Sequence, residues 1–174
     1  MSLGGRGTAA GVDAAGQDVV IREATGNDLA DVVHVGHVTW PATYREAFGD
    51  EFIELGLAKW WTPEATIPAI RAGRCLVAEV DGEVVGMASY GPLEGHAVLW
   101  KIYVLPAHHS RGIGQLLMDE VVARVTGEWD ELRLSHYAGN DRARSFYERN
   151  GFVEFEREEM GAGMPVSVWM RRPL

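Results

Sequence analysis

The sequence predicts an α/β domain in which a mixed, mostly antiparallel sheet of about seven strands carries helices on its faces. The expected elements follow in the order strand, helices, three strands, helix, strand, helix and two strands, a mixture typical of this class. An Asp81-Gly82 pair between two β-rich apolar runs is a strong signal for an antiparallel hairpin. Apolar residues at helical spacing between the later strands supply the covering helices.

One domain accounts for most of the length. A chain of 174 residues, of which 47% are hydrophobic and 24% charged, can bury a full core. Residues 1–18 are rich in glycine and alanine and contain no continuous apolar segment, so they predict a flexible leader or cloning remnant rather than a signal peptide. We expect a single domain over residues 19–174.

The amino-terminal third predicts one short strand and three helices. The strand begins at Val19, and Asn27 can cap the helix that follows it. Apolar residues at helical spacing continue as far as Pro41, where proline predicts the end of that helix. A second helix is expected over about 44–61 and a third over about 63–71, opened by a proline at its first position.

The rest of the chain predicts six strands and two helices. The strands are expected over residues 75–80, 84–90, 97–105, 131–136, 152–158 and 166–171. One helix runs from Ile113 to about Gly127. The other begins after an Asn140 cap and ends at Gly151, which stands where a C-cap glycine belongs.

Charge and cysteine content exclude several classes of function. The net charge is −9, with 25 acidic residues against 16 basic ones, which disfavours nonspecific binding to nucleic acid. Cys75 is the only cysteine, which excludes an intrachain disulfide and a thiolate metal cluster and favours a reducing cytoplasm. No apolar run approaches the roughly 18 residues that cross a bilayer. We therefore expect a cytoplasmic protein with no metal, no nucleic-acid partner and no membrane partner.

The stretch over residues 100–118 is the most informative for function. An apolar strand ends at Pro106, a glycine-containing turn follows, and an amphipathic helix starts at once. This arrangement directs backbone N–H groups and a helix N-terminus into one small volume, whose natural occupant is a phosphate. An ordinary strand-to-helix turn is the alternative. A Walker loop is excluded because its lysine-containing pattern is absent, and a dinucleotide fingerprint fails because its third glycine falls at Leu117.

Two motifs, one in this stretch and one later in the chain, resemble those of a known family. The first reads Tyr-Val-Leu-Pro over residues 103–106 and His-Ser-Arg-Gly-Ile-Gly over residues 109–114. The second runs from Asn140 to Phe152. In motif, order and spacing the chain resembles the GCN5-related N-acetyltransferase (GNAT) family over about residues 19–170. It departs from the family at His109, where glutamine or arginine is usual.

The resemblance implies acetyl-CoA as the acetyl donor. Backbone amides of the turn would cradle its pyrophosphate, and the strand before the turn, splayed from the next one, would bind its pantetheine arm. Arg111 either adds a charged contact or is a solvated surface arginine. The donor-binding residues implied are Ile102, Tyr103, Val104, His109, Ser110, Arg111, Gly112, Ile113, Gly114, Gln115, Asn140 and Tyr147.

The reaction that the resemblance implies is direct attack of an amine on the thioester in a ternary complex. The Val104 amide would stabilise the oxyanion, and Tyr147 would protonate the departing thiolate unless it only packs in the core. The general base stays open, because the strand before the turn offers Lys101 and no carboxylate. The candidates for the base are Glu94, His96 and His136, or a water relay, or no dedicated base.

The acceptor is expected to be a primary amine, of a small molecule or of a protein. In the family the first two helices line the acceptor pocket, so Trp40 and Tyr44 are candidate substrate-binding residues, with core packing as the alternative. Because no base is evident, a catalytically silent acyl-CoA sensor is the alternative function. Cys75 is expected to be an inert buried thiol. Dimers are common in the family, so the resemblance also allows a homodimer.

Overall fold

A computed structural model describes residues 7–174. Over these residues the elements are β1 (Ala9–Val12), β2 (Asp18–Glu23), α1 (Leu29–Trp60), α2 (Pro63–Arg71), β3 (Cys75–Val80), β4 (Glu83–Leu93), β5 (His96–Val104), α3 (Ile113–Val125), β6 (Glu131–Tyr137), α4 (Asp141–Arg149), β7 (Val153–Glu158) and β8 (Ser167–Pro173).

The sheet has the strand order β1-β2-β3-β4-β5-β6-β8-β7. Antiparallel registers join β1 to β2, β2 to β3, β3 to β4, β6 to β8 and β7 to β8, whereas β5 and β6 are parallel. The predicted fold class, a mixed and mostly antiparallel sheet with helices, is therefore confirmed.

The amino-terminal segment departs from the prediction of a flexible leader. β1 pairs antiparallel with β2 from Ala9 opposite Ile21 to Val12 opposite Asp18, so residues 9–18 form a β-hairpin. The small residues of β1 show no alternation of apolar and polar side chains that would predict a strand. Their backbone N–H and C=O groups still pair with those of β2, and these hydrogen bonds do not depend on the side chains. The extra strand is why the sheet has eight strands rather than about seven. Residues 1–6 of the predicted leader lie outside the described residues.

The chain forms two compact units, the first of which covers residues 7–89 and Lys101–Glu120. Its β3–β4 hairpin turns at Asp81 and Gly82, whose φ angles of 52° and 79° are those of the predicted two-residue turn. Thr25, not Asn27, caps the chain ahead of α1, because a short 3-10 turn precedes the helix. Thr25 Oγ1 accepts from the Asn27 amide, and Asp28 accepts from the Thr25 amide at 2.7 Å.

Helix α1 does not end at Pro41 as predicted. It continues to Trp60, with its only non-helical residue at Gly49, where φ is 82°. Proline removes one backbone hydrogen bond, but Trp40 and Tyr44 beside it are buried with their rings 4.5 Å apart, and this packing holds the helix together. The break falls instead where glycine can adopt a left-handed conformation.

The second unit covers Tyr90–Trp100 and Val121–Leu174. β8 pairs with both β6 and β7, and α4 lies between β6 and β7 in the chain. As predicted, Asn140 caps α4, its Oδ1 accepting from the Ala143 amide at 3.2 Å. α4 is strongly amphipathic, yet none of its residues is fully buried. Its apolar face is thus only partly covered by protein.

Residues 7–174 contain neither a membrane-spanning helix nor a cluster of metal-ligating side chains. None of the helices there combines the length and the apolar character needed to cross a bilayer. No group of three or more histidine, cysteine, aspartate or glutamate side chains in this range is arranged to hold a metal ion. A single domain over residues 19–174 stays a prediction.

Candidate active site

The turn between β5 and α3 has the backbone that an anion site requires. Ser110 and Gly112 have φ angles of 61° and 84°, both in the left-handed region, and both residues are exposed. Left-handed residues within a turn direct successive N–H groups toward one point. α3 follows at Ile113, which is buried and anchors the helix, so its N-terminus opens onto the same turn. A Cβ built on Gly112 would meet no described heavy atom within 4 Å, which leaves room for a ligand.

The His109 side chain connects this turn to the end of β5 by a hydrogen bond. Its Nε2 donates to the Val104 carbonyl at 2.6 Å, because a carbonyl can only accept. The next amide, that of Leu105, donates to the carbonyl of Val85 at 2.8 Å. Histidine therefore replaces the usual glutamine or arginine at position 109, and its ring is hydrogen-bonded to the last residue of β5.

The Arg111 guanidinium contacts two residues of the loop between β1 and β2, and its contact with the donor stays a prediction. Its Nη1 donates to Gln17 Oε1 at 2.9 Å and lies 3.7 Å from Asp13 Oδ2. Sequence reasoning missed Asp13 and Gln17 because they lie in the segment predicted to be a leader. The only local signal was an aspartate three residues before a glycine, which is typical of a turn, because the preceding Ala-Ala-Gly-Val run has little β-propensity.

β5 pairs with β6 at its first half. The parallel register joins Ala97–Leu99 to Leu132–Leu134, and β5 then continues for five residues to Val104. Ile102, Tyr103 and Val104, the residues expected to bind the pantetheine arm, are half-buried in this second half.

Tyr147 and His136 lie near each other within the second unit. Their ring centroids are 6.1 Å apart, and the Tyr147 ring also lies 5.6 Å from that of Phe146. His136 is buried, and its Nδ1 donates to the Tyr137 carbonyl at 3.0 Å. In the neutral ring this leaves the lone pair on Nε2, which is buried and has no hydrogen-bond partner among the described residues.

The other two candidate bases are Glu94 and His96. Glu94 lies in the exposed turn between β4 and β5 with φ at 50°, and His96 opens β5 with its Nδ1 3.8 Å from Glu131. A role as the general base stays a prediction for both residues.

The aromatic residues of the first unit pack mainly against one another. Trp40 is 5% exposed and Tyr44 6%, and the Tyr44 hydroxyl lies 3.3 Å from that of Tyr103. This favours core packing for Trp40, while Tyr44 and Tyr103 share a polar contact at the edge of the cluster.

Burial shifts the pKa values of two titratable groups in the first unit. Lys101 Nζ donates to the Trp60 carbonyl and lies 4.1 Å from the centre of the Trp61 ring. Burial lowers the pKa of Lys101 to about 8 and raises the pKa of the Cys75 thiol to about 12. A thiol with so high a pKa is a poor nucleophile, as the sequence predicted.

Comparison with known proteins identifies the family. The profile of the acetyltransferase (GNAT) domain matches residues 71–154. The chain is 38% identical over 132 residues to an uncharacterized N-acetyltransferase of Mycobacterium tuberculosis, covering 72% of this chain and 83% of that protein. It is 26% identical over 142 residues to spermidine N(1)-acetyltransferase of Thermoplasma acidophilum, covering 77% of this chain and 88% of that protein.

Solved structures agree on the fold. The structure of PaiA N-acetyltransferase from Thermoplasma acidophilum in complex with coenzyme A matches with a TM-score of 0.77 at 23% identity, over 90% of this chain and 99% of that one. Ribosomal-protein-alanine N-acetyltransferase from Brucella melitensis matches with a TM-score of 0.67 at 26% identity, over 88% and 99%. Motifs, relatives and fold coincide, and the chain belongs to the GNAT family of N-acetyltransferases.

Proposed function

We propose that this enzyme transfers the acetyl group of acetyl-CoA to a primary amine by direct attack in a ternary complex. The observation that carries the proposal is the turn of left-handed residues at the head of α3, which suits a pyrophosphate. A polyamine is the first acceptor to test, because one relative is a spermidine acetyltransferase and the net charge of −9 favours a cationic partner. A protein amine is the other candidate class.

The first unit would hold the donor. Backbone N–H groups from Ser110 to Gly114, with the Gln115 end of α3, bind the pyrophosphate in this proposal. Backbone groups of Ile102 and Tyr103 bind the pantetheine arm, and the Val104 amide donates to the thioester oxygen as negative charge develops there. The Val104 carbonyl is held by His109, which fixes the orientation of the neighbouring peptide.

Acetyl transfer also requires two proton transfers. A protonated amine has no lone pair, so a base must remove its proton, and the departing thiolate must gain one. We assign the acid role to Tyr147, since a phenol with pKa of about 10 can protonate a thiolate whose thiol has a pKa of about 8.5. His136 is the best-placed base because its buried Nε2 carries an unused lone pair. Asn140 caps α4 and would contact the arm.

Thiol release from acetyl-CoA with a panel of amines tests this function. The panel contains spermidine, spermine, monoamines, amino acids and peptides with free amino termini. The native enzyme should release thiol with at least one amine, and Tyr147→Phe, which removes one oxygen from a half-buried ring, should lower kcat about 100-fold. Tyr137→Phe is the matched control on β6.

Each outcome separates the hypotheses. Release with amines and loss in Tyr147→Phe support acetyl transfer with Tyr147 as the acid. Equal rates for the two proteins would reject that role. Tight acetyl-CoA binding without release for any amine would favour the acyl-CoA sensor.

We also propose that the enzyme is cytoplasmic and forms a homodimer. We place the enzyme in the cytoplasm, where a single free thiol such as that of Cys75 stays reduced. The acidic charge supports the absence of a nucleic-acid partner, and no membrane partner is proposed. A homodimer is proposed from the family resemblance, and light scattering on the purified chain measures it.

A further inference from the structure

We propose that the loop between β1 and β2, residues 13–17, braces the phosphate turn, and that Asp13 is a positioning residue for donor binding. This loop would hold Arg111, and through it the backbone from Ser110 to Gly112, in the conformation that accepts the pyrophosphate. The inference rests on the proposed function, because it assumes that the turn binds acetyl-CoA.

Three contacts connect the loop to the turn. The Ala14 amide donates to the Arg111 carbonyl at 2.8 Å, and Arg111 Nη1 donates to Gln17 Oε1 at 2.9 Å. Arg111 Nη1 also lies 3.7 Å from Asp13 Oδ2. Backbone and side chain of Arg111 are thus both fixed by the loop, at the residue between the two left-handed positions of the turn.

Asp13 organises the loop itself. Its side chain is fully buried, and its Oδ1 accepts from the amides of Ala15 and Gln17 at 2.9 Å each. Its Oδ2 accepts no hydrogen bond from the described residues and faces the Arg111 guanidinium. A buried carboxylate needs a charged partner to offset its lost hydration, and Arg111 is that partner.

The turn needs such support because of its backbone. Ser110 has a side chain and yet a φ of 61°, a conformation that is unfavourable for any residue except glycine. Residues in such conformations persist only where surrounding structure determines them. The bond from the Ala14 amide to the Arg111 carbonyl acts on the peptide between Arg111 and Gly112, which joins the two residues that follow Ser110.

The hairpin also touches the helix that follows the turn. A Cβ on Gly11 of β1 would lie 2.9 Å from Leu116 Cδ2 in the first turn of α3. β1 therefore packs closely against the start of α3, while its loop holds Arg111. The hairpin supports both parts of the proposed pyrophosphate site, the turn and the helix N-terminus.

The test compares two acetyl donors that differ in the pyrophosphate. Acetyl-CoA carries it, whereas S-acetylpantetheine ends before it. Asp13→Asn keeps the size of the side chain and removes its charge, and Asp18→Asn, exposed in the same hairpin, is the matched control. We expect Asp13→Asn to raise KM for acetyl-CoA about tenfold, as when a hydrogen bond to a charged group is weakened, with kcat within about twofold. KM for S-acetylpantetheine should not change, and Asp18→Asn should match the native enzyme with both donors.

Other outcomes overturn the inference or the proposed function separately. An unchanged KM for acetyl-CoA in Asp13→Asn, or an equal rise in KM for both donors, would reject the brace. A native enzyme that uses both donors with the same KM would instead reject the proposed pyrophosphate site.

A second variant guards against misfolding. Gln17→Ala removes the bond to Arg111 without touching a buried charge, and should raise KM for acetyl-CoA about threefold while KM for S-acetylpantetheine stays constant. If Asp13→Asn does not fold, this variant decides, and a KM for acetyl-CoA equal to that of the native enzyme rejects the brace.

Discussion

Replacing Asp28 by asparagine should destabilise the enzyme at neutral pH and flatten its response to acid. Asp28 is buried at the start of α1, where its oxygens accept from Arg22 Nη1 and Nη2 at 2.8 and 2.9 Å and from the Thr25 amide at 2.7 Å. The bidentate contact between Arg22 and Asp28 joins β2 to the start of α1, the helix that carries Trp40 and Tyr44.

The magnitude follows from the titration of Asp28. Its hydrogen bonds with Arg22, more than those with Thr25, lower its pKa from 3.8 to about 2. At about 1.4 kcal/mol per pH unit, the ionised carboxylate stabilises the folded state by about 2.5 kcal/mol. Because the folded pKa is depressed, this stabilisation is complete above pH 3.8 and is lost as the pH falls toward 2.

Urea unfolding between pH 7 and pH 2 measures the effect. Asp28→Asn should lower the free energy of unfolding by about 2.5 kcal/mol at pH 7, and the two proteins should converge near pH 2. Asp31→Asn, exposed in the first turn of α1, is the control and should follow the native curve. A difference between native enzyme and Asp28→Asn that stays constant across this pH range would refute the electrostatic account.

Two further predictions concern buried groups. His136→Phe should lower kcat about 100-fold and leave KM for acetyl-CoA unchanged, because it removes the proposed base but no donor contact. Steady-state kinetics at saturating amine checks this, and an unaltered kcat would exclude His136 as the base. For Lys101, burial lowers the pKa from 10.5 to about 8, so the unfolded chain binds more protons between these values. The free energy of unfolding of the native enzyme, measured in urea, should therefore rise from pH 8 to pH 10.5 relative to that of Lys101→Met. The same pH dependence of this free energy in both proteins would contradict a lowered pKa of Lys101.

Local signals made much of this fold predictable. The Asp81-Gly82 turn, the Asn140 cap and the amphipathic start of α3 depend on residues close together in the sequence, and all three are found as expected. In the phosphate turn the left-handed Gly112 is a glycine of the motif, whereas the left-handed Ser110 carries no such signal in the sequence.

Features that depend on distant partners were not predictable. Pro41 stays within a helix because buried aromatic rings hold it there, and the pairing of β1 depends on the edge of β2 rather than on its own side chains. In the candidate site, too, the roles of some residues depend on partners that the sequence alone does not indicate. The departure at His109 became interpretable only once its ring was found on the Val104 carbonyl, and Lys101 only once its amine was found beside Trp61.

This enzyme uses the reactive thioester acetyl-CoA, and its sequence contains few lysines. Of its 16 basic residues only Lys59 and Lys101 are lysines, and arginine is not acetylated by a thioester. The Lys101 amine is held by the Trp60 carbonyl and the Trp61 ring, whereas Lys59 is exposed. The protein therefore offers its own donor a single exposed side-chain amine. Self-modification therefore has Lys59 as its one exposed side-chain target.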